Sequence, residues 1–232
     1  QHNAPNVSVS QPSRNYVKAG DTVTYTVTYT GMASVGLEAS SVILTRTGTA
    51  TADVAVSGSG NATRTITLSA LTGDGTLKVS LPAGTGKDYW DADAPAVSAS
   101  AVTAFTVDNT DPVMTVGAPS ATVTKSGPVT YTVTYAGANT ITLSATDITL
   151  NKTPVGTGTV DGTVSVSGTG NVSRTITVTN TSGDGSLSVD IAAGTAVDNA
   201  GNVANGGSGA SFNVRTNQPS VSIASPDVPV TR

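Results

Sequence analysis

The residues of this sequence best suited to chemistry are acidic and amide side chains in turns rich in glycine and proline. Asp108 and Asp111 stand close together before a proline, and Asp198 opens a second acidic turn. Ca²⁺ takes about six to eight oxygen ligands from carboxylates, carbonyls and amides. The sequence therefore predicts a calcium site with the ligands Asp108, Asp111 and Asp198, and with Asp74 and Asn202 as weaker candidates.

A second acidic run, Asp88, Asp91 and Asp93, is a candidate for a similar site. Ordinary turn chemistry explains the same residues, because Asp and Asn side chains bond to backbone N–H groups of their own turn. Close carboxylates that meet no positive charge or donor repel each other. A bound cation and a hydrogen-bonded turn are therefore both open interpretations.

The residue types that enzymes use most are scarce. The chain has no cysteine, Glu38 is its only glutamate, and His2 is its only histidine. A thiol nucleophile is excluded, and a Ser-His-Asp triad or a zinc site needs histidine inside a domain. The net charge of −4 argues against nucleic acid, and no apolar run reaches the length of a membrane span. We expect a non-catalytic protein that neither binds nucleic acid nor inserts into a membrane.

The segments that position these acids occur twice. The sequence TYTVTY at 24–29 returns at 130–135, and the segment 60–68 returns at 170–178 with most residues unchanged. A repeat of this length is a whole domain rather than one turn of a solenoid. The predicted domains are 1–107 and 108–215, followed by 216–232 as the first strand of a third copy or a free donor strand. The natural protein is expected to be longer.

Alternation of side chains predicts β-strands throughout. In 23–29, valine and tyrosine alternate with threonine, so the apolar side chains share the inward face. In the first repeat, the predicted strands A to G are 6–10, 21–30, 41–46, 53–57, 63–70, 76–81 and 97–107. Arg64 and Arg174 share the inward parity of strand E, and we expect each to pair with a loop acid. The sequence predicts an all-β fold of tandem immunoglobulin-like (Ig-like) antiparallel β-sandwiches with about seven strands each.

Three motifs resemble bacterial Ig-like tandem repeats: Asp108-Asn109-Thr110-Asp111-Pro112, Gly183-Asp184-Gly185-Ser186-Leu187 and Asp198-Asn199-Ala200-Gly201-Asn202. The resemblance implies a large surface or secreted protein, often an adhesin, at the bacterial cell surface or outside the cell. It also implies that calcium can bind at domain junctions. The first repeat departs from the pattern in Lys87-Asp88-Tyr89-Trp90-Asp91-Ala92-Asp93, and Thr216-Asn217-Gln218-Pro219 lacks both acids. Calcium is therefore expected mainly between the two repeats.

Ig-like topology predicts where the acids meet. The loop between strands E and F lies at the end where strand G leaves, so Asp74 should face the linker 108–111. The loop between strands F and G lies at the opposite end, where strand A enters. Asp198 and Asn202 should therefore approach the same linker from the other side.

Two further features carry open alternatives. Tyr89 and Trp90 are large aromatic residues in a predicted loop, and they either contact a surface glycan or protein or pack on a neighbouring repeat. Val221 and Ile223 alternate like strand A without a domain of their own. They either begin a third repeat or form a donor strand for another subunit, since exposed sheet edges accept added strands.

These observations predict a structural and adhesive repeat that acts as a spacer or fibre segment, with junctions stiffened by calcium. Its expected partners are neighbouring repeats of the same chain or identical subunits. One alternative is a subunit of a self-assembling extracellular filament linked by β-strand exchange. Another is an accessory module of a secreted enzyme.

Overall fold

The computed structural model describes residues 4–218 and 221–224. His2 and two parts of the predicted third segment, 219–220 and 225–232, lie outside the described residues. The chain divides into two compact units between Val113 and Met114, with Gly137–Thr140 and Ala196–Ala204 belonging to the first unit.

The first repeat forms two four-stranded sheets, in the strand orders β1-β3-β7-β6 and β2-β10-β8-β5. Two further strands, β4 and β9, pair with each other. The strands are β1 Asn6–Val9, β2 Tyr16–Val17, β3 Val23–Thr30, β4 Ser34–Val35, β5 Ile43–Arg46, β6 Thr51–Ser57, β7 Thr63–Thr72, β8 Gly75–Ser80, β9 Gly86–Lys87 and β10 Phe105–Val107.

The second repeat follows the same pairing, with β17 running through both of its sheets. One face has the order β11-β13-β17 with β16 beside β17. On the other face β17 pairs with β15, β19 and β20, and β12 pairs with β20. The strands are β11 Val113–Val116, β12 Val123–Thr124, β13 Val129–Ala136, β14 Thr140–Ile141, β15 Ile148–Pro154, β16 Val160–Ser167, β17 Ser173–Ile191, β18 Ala196–Val197, β19 Gly207–Ser208 and β20 Phe212–Arg215.

Named by their roles, β1, β3, β5, β6, β7, β8 and β10 are strands A, B, C, D, E, F and G. The order A-B-E-D opposite G-F-C is the arrangement of an Ig-like sandwich. The predicted all-β, Ig-like fold is therefore confirmed. Short 3₁₀ turns at Ala39–Ser41, Ala99–Ala101 and Ala145–Asp147 are the helical segments of the described residues.

One strand pair in each repeat departs from the predicted antiparallel pattern. After strand A, the chain crosses to the other sheet and forms a short strand A′, β2, which runs parallel to β10. In the second repeat, β12 runs parallel to β20. Pro12 and Pro119 lie at the two crossings, and proline lacks the N–H that would continue pairing with strand B.

Each sandwich has its own aromatic pair in the core. In the first repeat, the rings of Tyr25 and Phe105 lie 6.4 Å apart, and both residues are buried. Tyr131 and Phe212 repeat this contact at 6.4 Å in the second. The alternation of Tyr and Val with Thr thus directs the apolar face inward, as predicted.

Strand G is shorter than the predicted 97–107. Only Phe105–Val107 pairs as a strand, with β8 and β2. Val97 forms an isolated bridge with Leu81, and the 3₁₀ turn Ala99–Ala101 follows it. The prediction over 97–104 was wrong because small Ala and Ser side chains alternate there without packing as a ladder, and Ser competes for local hydrogen bonds.

The two repeated arginines bond to backbone rather than to acids. Arg64 is 9% exposed and donates to the carbonyl oxygens of Val35 and Thr63, each at 2.8 Å. Arg174 donates to the carbonyl oxygens of Ile141, at 3.0 Å, and of Ser173. The expected pairing with loop acids is replaced by bonds to carbonyls that the short strands β4 and β14 leave available.

Candidate functional site

The linker after the first repeat is held by the loop between strands E and F. One carboxylate oxygen of Asp74 accepts the backbone N–H of Asn109 at 2.6 Å, and the other accepts the hydroxyl of Thr110 at 3.2 Å. The Asn109 amide donates to the carbonyl of Gly73 at 2.6 Å. The first residues after strand G are therefore fixed to the E–F loop, as the topology predicted for Asp74.

A glycine sets the position of Asp74. Gly73 has a φ of 68°, and a Cβ at this residue would overlap the backbone of Thr49. The backbone of the loop also bonds to the neighbouring turn, because the N–H of Thr49 donates to the carbonyl of Asp74 at 2.8 Å. This close approach orients the Asp74 carboxylate toward the linker.

The second repeat uses the same device. Asp184 accepts the backbone N–H of Thr216 at 2.6 Å, the N–H of Asn217 at 3.2 Å and the Asn217 side-chain amide at 2.7 Å. The Thr216 hydroxyl donates to the carbonyl of Gly183 at 2.9 Å, as Asn109 does to Gly73. The Thr216 and Asn217 N–H donors hold the pKa of Asp184 below its usual value.

The turn opened by Asp198 is internally hydrogen-bonded. One oxygen of Asp198 accepts the N–H groups of Ala200, at 2.8 Å, and of Asn202, at 2.9 Å. The other accepts the Asn202 side-chain amide at 2.8 Å. That amide also donates to the carbonyl oxygen of Asp108 at 2.8 Å. Asn202 thus joins this turn to the linker, as predicted. Asp198 does so indirectly, because it binds the Asn202 amide that donates to the linker.

Lys18 completes the cluster within the first compact unit. Its ammonium donates to the carbonyl of Gly201 at 2.5 Å. The next residue, Ala19, donates its N–H to the side-chain oxygen of Asn109 at 2.6 Å. The cluster therefore joins the F–G turn, the A′–B turn and the linker.

Of the other predicted calcium ligands, Asp108 bonds within the linker itself. A carboxylate oxygen of Asp108 accepts the N–H of Thr110 at 3.0 Å, and Asp111 is exposed beside the buried Pro112. Within residues 4–218 and 221–224, no group of three or more His, Cys, Asp or Glu residues is placed to hold a metal ion. The oxygens of Asp74 and Asp198 accept N–H and O–H donors, and Asn202 presents its nitrogen to the linker. This donor set fits a hydrogen-bonded turn better than a calcium cage, and calcium binding stays a prediction.

The second acidic run folds into a turn of the same type. One oxygen of Asp88 accepts the N–H groups of Trp90 and Ala92, each at 2.8 Å. The Lys87 ammonium lies 3.1 Å from a carboxylate oxygen of Asp91 and 3.2 Å from one of Asp93. These carboxylates raise the pKa of Lys87, with Asp91 contributing most.

The aromatic residues of this turn face outward. Tyr89 is 77% exposed and Trp90 69% exposed. Their rings meet edge to face, with centroids 6.5 Å apart. The pair is therefore an accessible aromatic tip on a hydrogen-bonded turn.

The predicted donor strand has no strand partner in its described part. Residues 221–224 carry no β-structure, and Val221 and Ile223 are 89% and 93% exposed.

Three residues of the linker sites were not predicted: Lys18, Asn109 and Asp184. The signal for Asp184 was present, since Gly183-Asp184-Gly185 repeats Gly73-Asp74-Gly75. Lys18 and Asn109 carried no such signal, because each acts through the backbone groups that the fold brings near it.

No helix within the described part of the chain is long and apolar enough to cross a membrane.

No protein-family model and no curated protein matches this chain. The chain is similar in structure to a solved chain of FdeC, an Escherichia coli adhesin, at 19% identity and a TM-score of 0.45, covering 90% of this chain and 64% of that one. It is similar to a solved chain of the Yersinia pseudotuberculosis adhesin InvE at 18% identity and a TM-score of 0.28, covering 90% of this chain and 58% of that one. Domains 5–6 of the S-layer protein SbsC match at 19% identity and a TM-score of 0.26, over 90% of this chain and 95% of theirs. The solved structures similar to this chain thus include bacterial adhesins and S-layer domains.

Proposed function

We propose that this chain is a non-catalytic, extracellular structural and adhesive repeat that acts as a spacer or fibre segment. One observation carries the proposal: in both repeats an E–F loop aspartate binds the first residues after strand G. Asp74 accepts from Asn109 and Thr110, and Asp184 accepts from Thr216 and Asn217. Bonds from backbone N–H groups to a carboxylate are short and directional. Each sandwich therefore sets the direction in which the chain leaves it.

We call the hydrogen bonds from the E–F loop aspartate to the residues after strand G the exit bond of each sandwich. An exit bond that is repeated in each sandwich suits a protein that holds other domains at a distance. The strand faces that point to solvent carry mainly Thr and Ser, and the loop acids at the sandwich ends bond to backbone or lysine. Interchangeable sandwiches with fixed exits can be added in series without new chemistry. Adhesion belongs to the proposal through the exposed Tyr89 and Trp90.

The test removes the exit bond in each repeat separately. In Asp74→Ala, the N–H of Asn109 loses its acceptor, so we expect its hydrogen exchange to speed up by about tenfold or more. Small-angle scattering should then show a broader distribution of end-to-end lengths. Asp184→Ala should act in the same way on Thr216.

The matched control is Asp53→Ala, which removes an exposed acid from strand β6. It should leave both exchange and scattering unchanged. If Asp74→Ala also leaves the Asn109 exchange rate and the scattering profile unchanged, the exit bond does not set the direction of the chain and the proposal fails.

A second function, a filament subunit linked by β-strand exchange, is favoured by one specific observation. Aligning the three strand-A segments places Val221 at the position of Val7 and Met114, and Ile223 at that of Val9 and Val116. Val7 is 8% exposed, whereas Val221 is 89% exposed. The described part of the segment thus carries the pattern of an inward-facing strand and has its apolar side chains exposed.

Deleting residues 219–232 should abolish assembly of this chain into filaments seen by electron microscopy. Val221→Ser combined with Ile223→Ser should do the same, because a donor strand loses its buried side chains. Ser222→Ala changes a residue on the opposite face of the proposed donor strand and serves as the control. Filaments that persist without residues 219–232 would rule out this function.

A further inference from the structure

The F–G loop occurs twice with the same backbone. In the first repeat it is Gly86–Ala94, and in the second it is Ala196–Ala204. Each opens with an aspartate that accepts the N–H groups two and four residues later. Each also has a left-handed residue at its tip, Asp91 with φ of 66° and Gly201 with φ of 89°. The two loops therefore match position by position, Trp90 with Ala200, Asp91 with Gly201, Ala92 with Asn202 and Asp93 with Val203.

The two copies of this loop differ in exposure. Ala200 and Asn202 are 4% and 6% exposed. Trp90, by contrast, is 69% exposed, and Ala92 is also exposed. We call the end of a sandwich at which strand G leaves its exit end. The second loop is covered because it contacts the exit end of the first sandwich: the carbonyl of Gly201 accepts from Lys18, and Asn202 donates to the carbonyl of Asp108. The first loop has the shape for such a contact and presents it to solvent.

The exit end of the second sandwich resembles that of the first. Pairing of Val17 with Val107, and of Thr124 with Val214, aligns the two ends. In this alignment, Lys125 takes the position of Lys18, Asp184 that of Asp74, Thr216 that of Asn109 and Arg215 that of Asp108. Lys125 and Arg215 are exposed, whereas Lys18 is partly buried.

The substitutions between copies make the two exposed ends complementary in charge. The first loop has Asp91 and Asp93 where the second has Gly201 and Val203. Lys87 contacts both of these acids, and its single positive charge leaves the group of three with a net negative charge. The exit end of the second sandwich gains a positive charge, because Arg215 replaces an aspartate. An acidic tip and a basic end therefore occur on the same chain, and within the described residues Asp91, Lys125 and Arg215 are exposed.

We propose that the F–G loop of the first repeat docks on the exit end of the second sandwich of another copy of this chain. Trp90 covers the surface that Ala200 covers in the first unit, and Asp91 pairs with Lys125 where Gly201 meets Lys18. The contact would join copies head to tail. It goes beyond the proposed function, because a spacer or a strand-exchange filament can work without it, and because it assigns to Trp90 one partner, another copy of this chain, where the proposed adhesion names none.

The experiment is a concentration series of the whole chain by sedimentation equilibrium. Trp90→Ala should weaken association about tenfold or more, as is usual for a central aromatic contact. Asp91→Asn, which keeps a residue that tolerates positive φ, and Lys125→Gln should each weaken it about two- to fivefold. If the two charges pair, the double variant of Asp91→Asn and Lys125→Gln should lose no more association affinity than either single variant. Added salt should weaken association of the unaltered chain.

Val172→Ala is the control, because Val172 is 65% exposed and lies in neither surface. It should associate like the unaltered chain, and the melting temperature of each variant shows that it folds. A chain that stays monomeric to about 1 mM overturns the proposal. Association that Trp90→Ala leaves unchanged does so as well, as does a Trp90 that binds a glycan or another protein without self-association. A chain that stays monomeric would not contradict the proposed function, because the exit bonds of Asp74 and Asp184 lie within one chain.

Discussion

At the scale of single residues, each sandwich bonds the hydroxyl of one core tyrosine to a backbone carbonyl in the same way. The hydroxyl of Tyr25 donates to the carbonyl of Thr103 at 3.0 Å, and that of Tyr131 donates to the carbonyl of Ala210 at 2.7 Å. Burial raises the pKa of both tyrosines from 10.0 to about 12. The folded state therefore holds these protons more strongly than the unfolded chain does.

This difference predicts a loss of stability in alkali. Below pH 10 both states keep the tyrosine protons, so the contribution of the two hydroxyls is fully present. Between pH 10 and about 12 the unfolded chain ionises first, so the free energy of unfolding falls as the pH rises. Urea denaturation at a series of pH values measures the slope. Tyr25→Phe combined with Tyr131→Phe should reduce the slope, and part of it should remain because burial also raises the pKa of Tyr29 and of Tyr135. An unaltered chain with no slope across this range would contradict the prediction.

The acidic residues show how far a site can be read from a sequence. Ig-like topology was enough to place Asp74 and Asn202 at the linker, and the structure brings both there. Whether their oxygens bind a cation or N–H donors could not be predicted, because both uses need the same side chains in the same turns. The choice depends on backbone directions set by Gly73 and by the turn of Asp198.

At the scale of elements, a buried arginine joins strand E to the short strand β4. Arg64 donates to the carbonyl of Val35 in β4 and is 9% exposed. Arg64→Ala leaves this carbonyl without that donor, so we expect a loss of about 1–3 kcal/mol in the free energy of unfolding. Arg64→Lys should recover part of the loss, because lysine keeps a charge but lacks the planar pair of donors.

Urea denaturation at neutral pH measures this loss, and Arg46→Ala, an exposed arginine of strand β5, is the matched control. Equal stability of Arg64→Ala and Arg46→Ala would contradict the prediction.

The strands were predictable where large apolar residues alternate with threonine. Strand B is predicted at 21–30 and observed at Val23–Thr30, and strand E is predicted at 63–70 and observed at Thr63–Thr72. The sequence was misleading over 97–104, where small Ala and Ser residues separate the two buried valines Val97 and Val102. Strand A′ was missed because two residues are too few to show a period, and its partner β10 is distant in sequence.

At the scale of the whole molecule, calcium is the remaining prediction for the linker. If Ca²⁺ binds there with Asp108, Asp111 and Asp198 as ligands, the melting temperature should rise in CaCl₂ and fall on addition of a chelator, because a ligand of the folded state stabilises it. Asp198→Asn should reduce the rise. Equal melting temperatures in calcium and in chelator, measured by calorimetry, would contradict the prediction that calcium binds at the linker. The hydrogen bonds of Asp74 and Asp198 would then account for the linker without a cation.

The two repeats differ most at their ends. The cores carry the same tyrosine–phenylalanine contact, whereas Trp90 and Asp91 stand where the second repeat has Ala200 and Gly201. Substitutions at the ends therefore change what each sandwich meets, and substitutions in the core would change whether it folds.

The parallel pairing of strand A′ with strand G has a mechanical consequence. In each sandwich, A′ lies near the incoming chain and G carries the outgoing chain, with Val17 beside Val107 and Thr124 beside Val214. A pull on the two ends drags these parallel strands in opposite directions along their length. Their hydrogen bonds are then loaded in shear and must break together, instead of opening one after another as in a peeled hairpin. Resistance to stretching in this chain thus depends on the few backbone pairs of two short strands, whose side chains Val17, Val107 and Val214 are also buried in the cores.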